Sequence, residues 1–122
     1  MSDINELVER YLAAWNETDT EARRRLIAEV FTEDAEYTDP LVTVRGHAAL
    51  DATIAAVRGQ FAGLVFGPGG PVDAHHGIAR FTWHLGPEGG EPVVIGFDVA
   101  VLGEDGRIRQ VLGFLDKVPA GA

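Results

Sequence analysis

The apolar run Val93-Val94-Ile95-Gly96-Phe97-Asp98-Val99-Ala100-Val101-Leu102 carries a single charge, and that charge limits what the chain can fold into. Its β-branched and aromatic residues make the run a strand. Side chains alternate along a strand, so Val93, Ile95, Phe97, Val99 and Val101 share one face. Val94, Gly96, Asp98, Ala100 and Leu102 share the other. Both faces are apolar, so both call for cover, one from a layer of helices and the other from a second subunit. A carboxylate buried on such a face needs a partner or a proton. Gly96 and Ala100 leave space beside it, which points to a cavity rather than a filled core. Asp98 is therefore the first candidate for function.

The chain before this strand reads as helices. Ile4, Leu7, Val8, Tyr11, Leu12 and Trp15 recur at helical spacing, with Ser2 as the N-cap. A capping box, Thr18-x-x-Glu21, opens a second helix with Leu26, Ile27, Val30 and Phe31 as its buried stripe. Arg23, Arg24 and Arg25 read as its solvated face. A third helix runs from about His47 to Phe61, ended by Gly63. Asp39 lies between the helices in Tyr37-Thr38-Asp39-Pro40. The remainder reads as strands: His76 to Leu85, Pro92 to Leu102, and Arg107 to about Lys117. Gly67-Pro68-Gly69-Gly70-Pro71 is a loop or bulged break, and Gly86-Pro87-Glu88-Gly89-Gly90 a hairpin loop. Helices first and strands after give an α+β class, a single domain over residues 1–122.

Composition excludes several roles. A net charge of −9 argues against nucleic acid and anionic membrane as partners. No cysteine is present, which removes disulfides and thiolate chemistry. No apolar run approaches a membrane span, and the first residues lack the pattern of a secretory leader, so a cytoplasmic location is expected. No metal constellation stands out, and the glycine-rich loop lacks the lysine of a phosphate cradle.

The order helix, helix, short strand, helix and curved sheet resembles the nuclear transport factor 2-like superfamily across essentially the whole chain. Arg10-Tyr11-Leu12-Ala13-Ala14-Trp15-Asn16, Tyr37-Thr38-Asp39-Pro40 and Arg45-Gly46-His47-Ala48-Ala49-Leu50 carry the resemblance. Its SnoaL-like and ketosteroid-isomerase-like branches are the nearest in pattern. The resemblance implies a cone of three helices on a curved, mostly antiparallel sheet, a homodimer, and no cofactor. It also implies an isomerase acting on a small hydrophobic carbonyl compound. Tyr11, Asp39 and Asp98 match the positions of the isomerases' catalytic tyrosine and two aspartates. Asp39 would then be the base, while Tyr11 and a protonated Asp98 would donate to the enolate oxygen. Two positions depart from the isomerases: where they carry a supporting tyrosine on the third helix, this chain offers Ile54, and Trp15, one turn from Tyr11 on the same face, would narrow the cavity.

Trp15, Trp83, Leu112 and Phe114 complete the candidate substrate contacts. Taken alone, Tyr11 on an apolar helix stripe reads as core, and Asp39 before Pro40 is as much a turn former as a catalyst. His76, Arg80 and His84 share a parity, as Asp116 does with Gln110, Leu112 and Phe114, without an assigned role. A SnoaL-like polyketide cyclase would use the same base. An epoxide hydrolase of this fold would need Asp98, Arg80 and Asp116 together. A non-catalytic ligand-binding or dimerisation module would leave Asp98 paired or solvated.

Overall fold

A computed structural model describes residues 3–119. The order is α1 (Asp3–Asn16), α2 (Thr20–Val30), β1 (Phe31–Thr38), β2 (Thr43–Arg45), α3 (His47–Gln60), β3 (Val65–Pro68), β4 (Asp73–His75), β5 (Ile78–Gly86), β6 (Val94–Leu102) and β7 (Ile108–Lys117). The expected N-cap Ser2 lies outside the described residues. Three helices cover one face of a curved, unclosed mixed sheet, an α+β cone. The strand order is β2-β1-β7-β6-β5-β3, with β4 paired to β5. All pairs are antiparallel except β1 with β7. No described helix is long and apolar enough to cross a membrane.

The apolar stripe of α1 behaves as its spacing predicts: Val8, Tyr11, Leu12 and Trp15 are buried. The second helix starts one residue beyond the Thr18 box. Asp19 is its N-cap, and Asp19 Oδ2 accepts the Ala22 N–H at 2.9 Å. A carboxylate there satisfies an orphan donor and also meets the positive end of the helix dipole, which a threonine hydroxyl does not. The arginine triplet also divides. Arg24 and Arg25 are exposed, but Arg23 is only 4% exposed. It stands one turn before Ile27 on the inward stripe, so it must bring its own counter-charge. Arg23 Nε donates to Asp51 Oδ1 at 2.6 Å, and Nη1 donates to the Glu17 carbonyl at 3.2 Å. This pair ties α2 to α3.

Phe31 ends α2 and begins β1 in extended conformation, so it enters the core from the strand and not from the helix stripe. The strand expected from His76 starts at Ile78. His76 (φ 49°) and Gly77 (φ 78°) form a turn in left-handed conformation that reverses β4 into β5.

Register decides which side chains face the helices. Asp98 stands opposite Phe81 on β5 and Gly113 on β7. Val94, Gly96, Asp98 and Ala100 are buried on the inner face together with Phe81, Trp83, Leu85 and Val111. Phe97 pairs with Phe114, and Val99 with Leu112, on the outer face. Leu112 and Phe114, expected among the substrate contacts, are therefore on the far side of the sheet from Asp98. Phe114 is 58% exposed. A one-residue difference in register reverses the face of every side chain on a strand, and the sequence pattern of β7 does not fix that register.

Two outcomes follow from this architecture. Asp51→Ala strands a buried guanidinium and is expected to cost about 3 kcal/mol, whereas Arg23→Met with Asp51→Leu recovers most of that loss; chemical denaturation of the three proteins checks it. The outer face exposes Ile78, Leu112 and Phe114 beside the half-buried Phe97, Val99 and Val101. Light scattering at micromolar concentration is expected to give a dimer that Phe114→Glu dissociates, and a wild-type monomer would contradict that.

Candidate functional site

One small cavity opens between α1 and the inner face of the sheet. Tyr11, Leu12 and Trp15 line it from α1, Tyr37 from β1, Phe66 from β3, Trp83 from β5 and Asp98 from β6. Its volume is ≈ 20 Å³. That is room for a water molecule or so. Tilted and edge-on aromatic pairs frame it: Trp15–Tyr37 at 5.3 Å, Trp15–Phe66 at 5.7 Å and Phe66–Trp83 at 5.1 Å between centroids.

At its floor the Tyr11 hydroxyl donates to Asp98 Oδ2 at 2.7 Å. Asp98 is 2% exposed and Tyr11 1%. Burial pushes the Asp98 carboxyl up to about 6. Hydrogen bonding from Tyr11 and the nearby Trp83 indole partly offsets that rise, and the charge of Asp39 adds to it. Tyr11 itself is raised well above its ordinary value, first by burial and then by the Asp98 charge, so it stays a neutral donor.

A second hydroxyl–carboxyl pair stands beside the first. Tyr37 donates to Asp39 Oδ2 at 2.7 Å. Asp39 Oδ1 accepts the backbone N–H groups of Leu41 and Val42 at 2.9 and 3.0 Å, an Asx turn. Asp39 is thus tied down at both oxygens and does not line the cavity. It stays close through Gly113: a Cβ built there would meet Asp98 Oδ1 at 2.8 Å and Asp39 Cβ at 3.4 Å. Burial raises the Tyr37 pKa, and the charges of Asp98 and Asp39 raise it further.

Two glycines make this arrangement possible. The Trp83 indole lies directly on Gly96, where any Cβ would come within 2.0 Å of a ring carbon. Gly113 gives the Asp98 carboxyl its space. The small residues beside Asp98 thus create room that Trp83 fills in part, leaving a narrow cavity and not a wide one.

Of the sequence candidates, the structure brings Tyr11, Asp98, Trp15 and Trp83 together and keeps Asp39 adjacent. Leu112 and Phe114 are elsewhere. Arg80 lies on the outer face, 64% exposed in its side chain, and pairs with Asp73 at 3.2 Å. Asp116 is exposed. The Asp98–Arg80–Asp116 set that an epoxide hydrolase would need is therefore not assembled, because the sheet separates its members. Among the described residues no group of three or more His, Cys, Asp or Glu could hold a metal ion.

Tyr37, Phe66 and Leu12 were not singled out from the sequence. Tyr37 carried a usable signal, since it precedes Asp39 by two and so tends to share its side of an extended chain. Phe66 carried none. It is held by Asn16, whose Nδ2 donates to the Phe66 carbonyl at 2.9 Å and whose Oδ1 accepts the Phe66 N–H at 2.7 Å, across fifty residues of sequence.

Residues 8–111 match the family described as SnoaL-like domain. No curated protein matches the chain. Among solved structures, a SnoaL-like protein from Agrobacterium tumefaciens, named as a candidate isomerase, is 40% identical with a TM-score of 0.89, covering 95% of this chain and 99% of that one. A candidate polyketide cyclase from Sinorhizobium meliloti is 22% identical, TM-score 0.69, covering 93% and 99%. An NTF2-like protein from Exiguobacterium sp. 255-15 is 20% identical, TM-score 0.72, covering 90% and 98%. These last two share the fold alone. With the family matched across residues 8–111 and 40% identity to a SnoaL-like protein over almost the whole fold, this chain belongs to the SnoaL-like family.

Proposed function

We propose that the chain is an acid–base isomerase that moves a proton from the carbon next to a carbonyl to another carbon of the same conjugated system on a small hydrophobic substrate. One observation carries this reading: a carboxyl with a pKa of about 6, held by a tyrosine hydroxyl at 2.7 Å on the floor of an aromatic cavity. A proton acceptor works best when its pKa lies near the operating pH. Asp98 is mostly ionised at neutral pH yet basic enough to take a proton from carbon. The same value argues against the role that the isomerase resemblance gave it, because a protonated donor must keep its proton at pH 7. Asp39, occupied at both oxygens, serves as the support of Tyr37 and of the turn at the cavity's edge. This exchanges the expected parts of the two aspartates.

The reaction balances without a further reagent. Asp98 takes the proton from the carbon adjacent to the carbonyl, and the electron pair moves onto the carbonyl oxygen. The carboxyl then returns the proton to another carbon of the same conjugated system, and the electrons move back. A substrate that fills the space between the aromatic walls displaces what water it holds, which strengthens each electrostatic contact within. Since the cavity has room for little more than a water molecule, its walls must part to admit even the reacting end of a substrate. The name carried by the Agrobacterium protein agrees with this reaction class.

Proton exchange tests the reading without knowledge of the natural substrate. In heavy water, a panel of small β,γ-unsaturated ketones is followed by NMR for loss of the acidic C–H signal. Wild type is expected to exchange at least one of them, and Asp98→Asn to slow that exchange roughly 100-fold or more. Asp39→Asn is expected to cost less. Because the active form is the carboxylate, the rate should rise as pH passes through about 6 and level off above it. Exchange that is unchanged in Asp98→Asn, or that lies with Asp39 instead, contradicts the assignment.

A further inference from the structure

Gly96 and Trp83 stand opposite each other on β6 and β5, on the inner side of the sheet. A glycine inside a strand gives up packing, and it marks a place where another group comes close. Here that group is the Trp83 indole, whose Cε2, Cζ2 and Cη2 atoms occupy the space of a side chain at Gly96. Gly96 precedes Asp98 by two on one strand, so the indole stands on the same face as the carboxyl and lines the cavity with it. The indole is also fixed in place. Its strand has a paired neighbour on each side, with Trp83 opposite Gly96 on β6 and Pro68 on β3. The Phe66 ring meets it edge-on at 5.1 Å between centroids. Moving the backbone would break two ladders, and moving the ring would need space that Gly96 and Phe66 do not leave.

We infer that Trp83 is the specificity-determining residue of this cavity. It admits a substrate whose acidic carbon carries a slender group, a vinyl or alkyl chain, and rejects one that carries a ring there. This rests on the proton transfer proposed above and names the class of substrate it acts on. Asp98 must reach the acidic carbon, so the other group on that carbon lies within the same cavity and meets the indole that borders the carboxyl. The cavity holds ≈ 20 Å³, and its walls part to admit a substrate. Trp83 is not among the walls that part, so the gain in width stops at its ring. A ring on the substrate would have to overlap the indole, and overpacking against a fixed wall is unfavourable. An open chain lies along the indole face without that overlap. Removing the indole leaves a ring-sized void against Gly96, on the face that carries Asp98.

Two ketones that differ only in that group test the inference. Allyl methyl ketone carries a vinyl group on its acidic carbon, and phenylacetone carries a phenyl ring on the same carbon. Exchange of each in heavy water is followed by NMR and divided by its rate in hydroxide alone, which removes the difference in intrinsic acidity. Wild type is expected to favour the vinyl ketone roughly 100-fold or more by this measure. Trp83→Ala is expected to narrow that preference roughly ten-fold or more by gaining exchange on phenylacetone, a gain that a damaged fold does not produce. Trp83→Leu takes its place if Trp83→Ala does not fold, and the wild-type preference stands by itself. Near-equal wild-type rates overturn the inference, and so does a preference that the folded variants keep. Loss of both exchanges in a folded variant also overturns it, since Trp83 would then belong to the chemistry and not to selection. In each of these cases Asp98-dependent exchange by wild type leaves the proton-transfer reading in place. Exchange of no ketone by any of the proteins overturns the two together.

Discussion

The site depends on one buried contact, the Tyr11 hydroxyl on the Asp98 carboxyl. It joins the first helix to the centre of the sheet across the core, 87 residues apart in sequence. Without it, a carboxylate at 2% exposure would keep only the nearby Trp83 indole as a donor among the described residues. With it, the carboxyl remains expensive, because the Tyr11 hydroxyl and the Trp83 indole only partly offset desolvation. That residual cost is what places its pKa near 6. The linkage has a definite sign. A pKa raised in the folded state means that the folded protein binds the proton more tightly than the unfolded chain. Stability is therefore highest below the ordinary aspartate value and falls as pH rises from there through about 6. The fold bears this cost at neutral pH, as expected of a group kept for its chemistry.

The rest of the core arranges itself around that contact. Gly96 lets the Trp83 indole lie flat on the strand, and Gly113 leaves the Asp98 carboxyl its place beside Asp39. Trp15 and Phe66 close the remaining sides, and Asn16 fixes the Phe66 backbone from the helix that also carries Tyr11 and Trp15. A single helix thus supplies the positioner of the base, one wall of the cavity and the anchor of another. Packing of α1 on the sheet and the geometry of the site are the same set of contacts.

Much of this was legible before any coordinates. Helical spacing put Tyr11 and Trp15 on the inner stripe. Strand alternation put Asp98 with Gly96 and Ala100, because a period of two along a continuous apolar run admits one reading. What was not legible depended on relations between segments. The face of Leu112 and Phe114 is set by the pairing of β6 with β7, which neither strand's own pattern encodes. Burial of Arg23 depends on Asp51 from another helix. The occupation of Asp39 by its own turn and by Tyr37 shows only once the chain is folded, and it changes which aspartate is free to accept a proton. Phe66 sits in a glycine-rich stretch whose role is decided by Asn16 far upstream.

The central claim is that Asp98 changes protonation near neutrality. Carbon-13 NMR of the side-chain carboxyl carbons, with the Asp98 signal identified by its loss in Asp98→Asn, reads that directly. The account predicts a midpoint of about 6 for Asp98. A midpoint at or below the ordinary aspartate value, about 3.9, would mean that Asp98 is a permanently ionised structural acceptor for Tyr11, and would contradict the account.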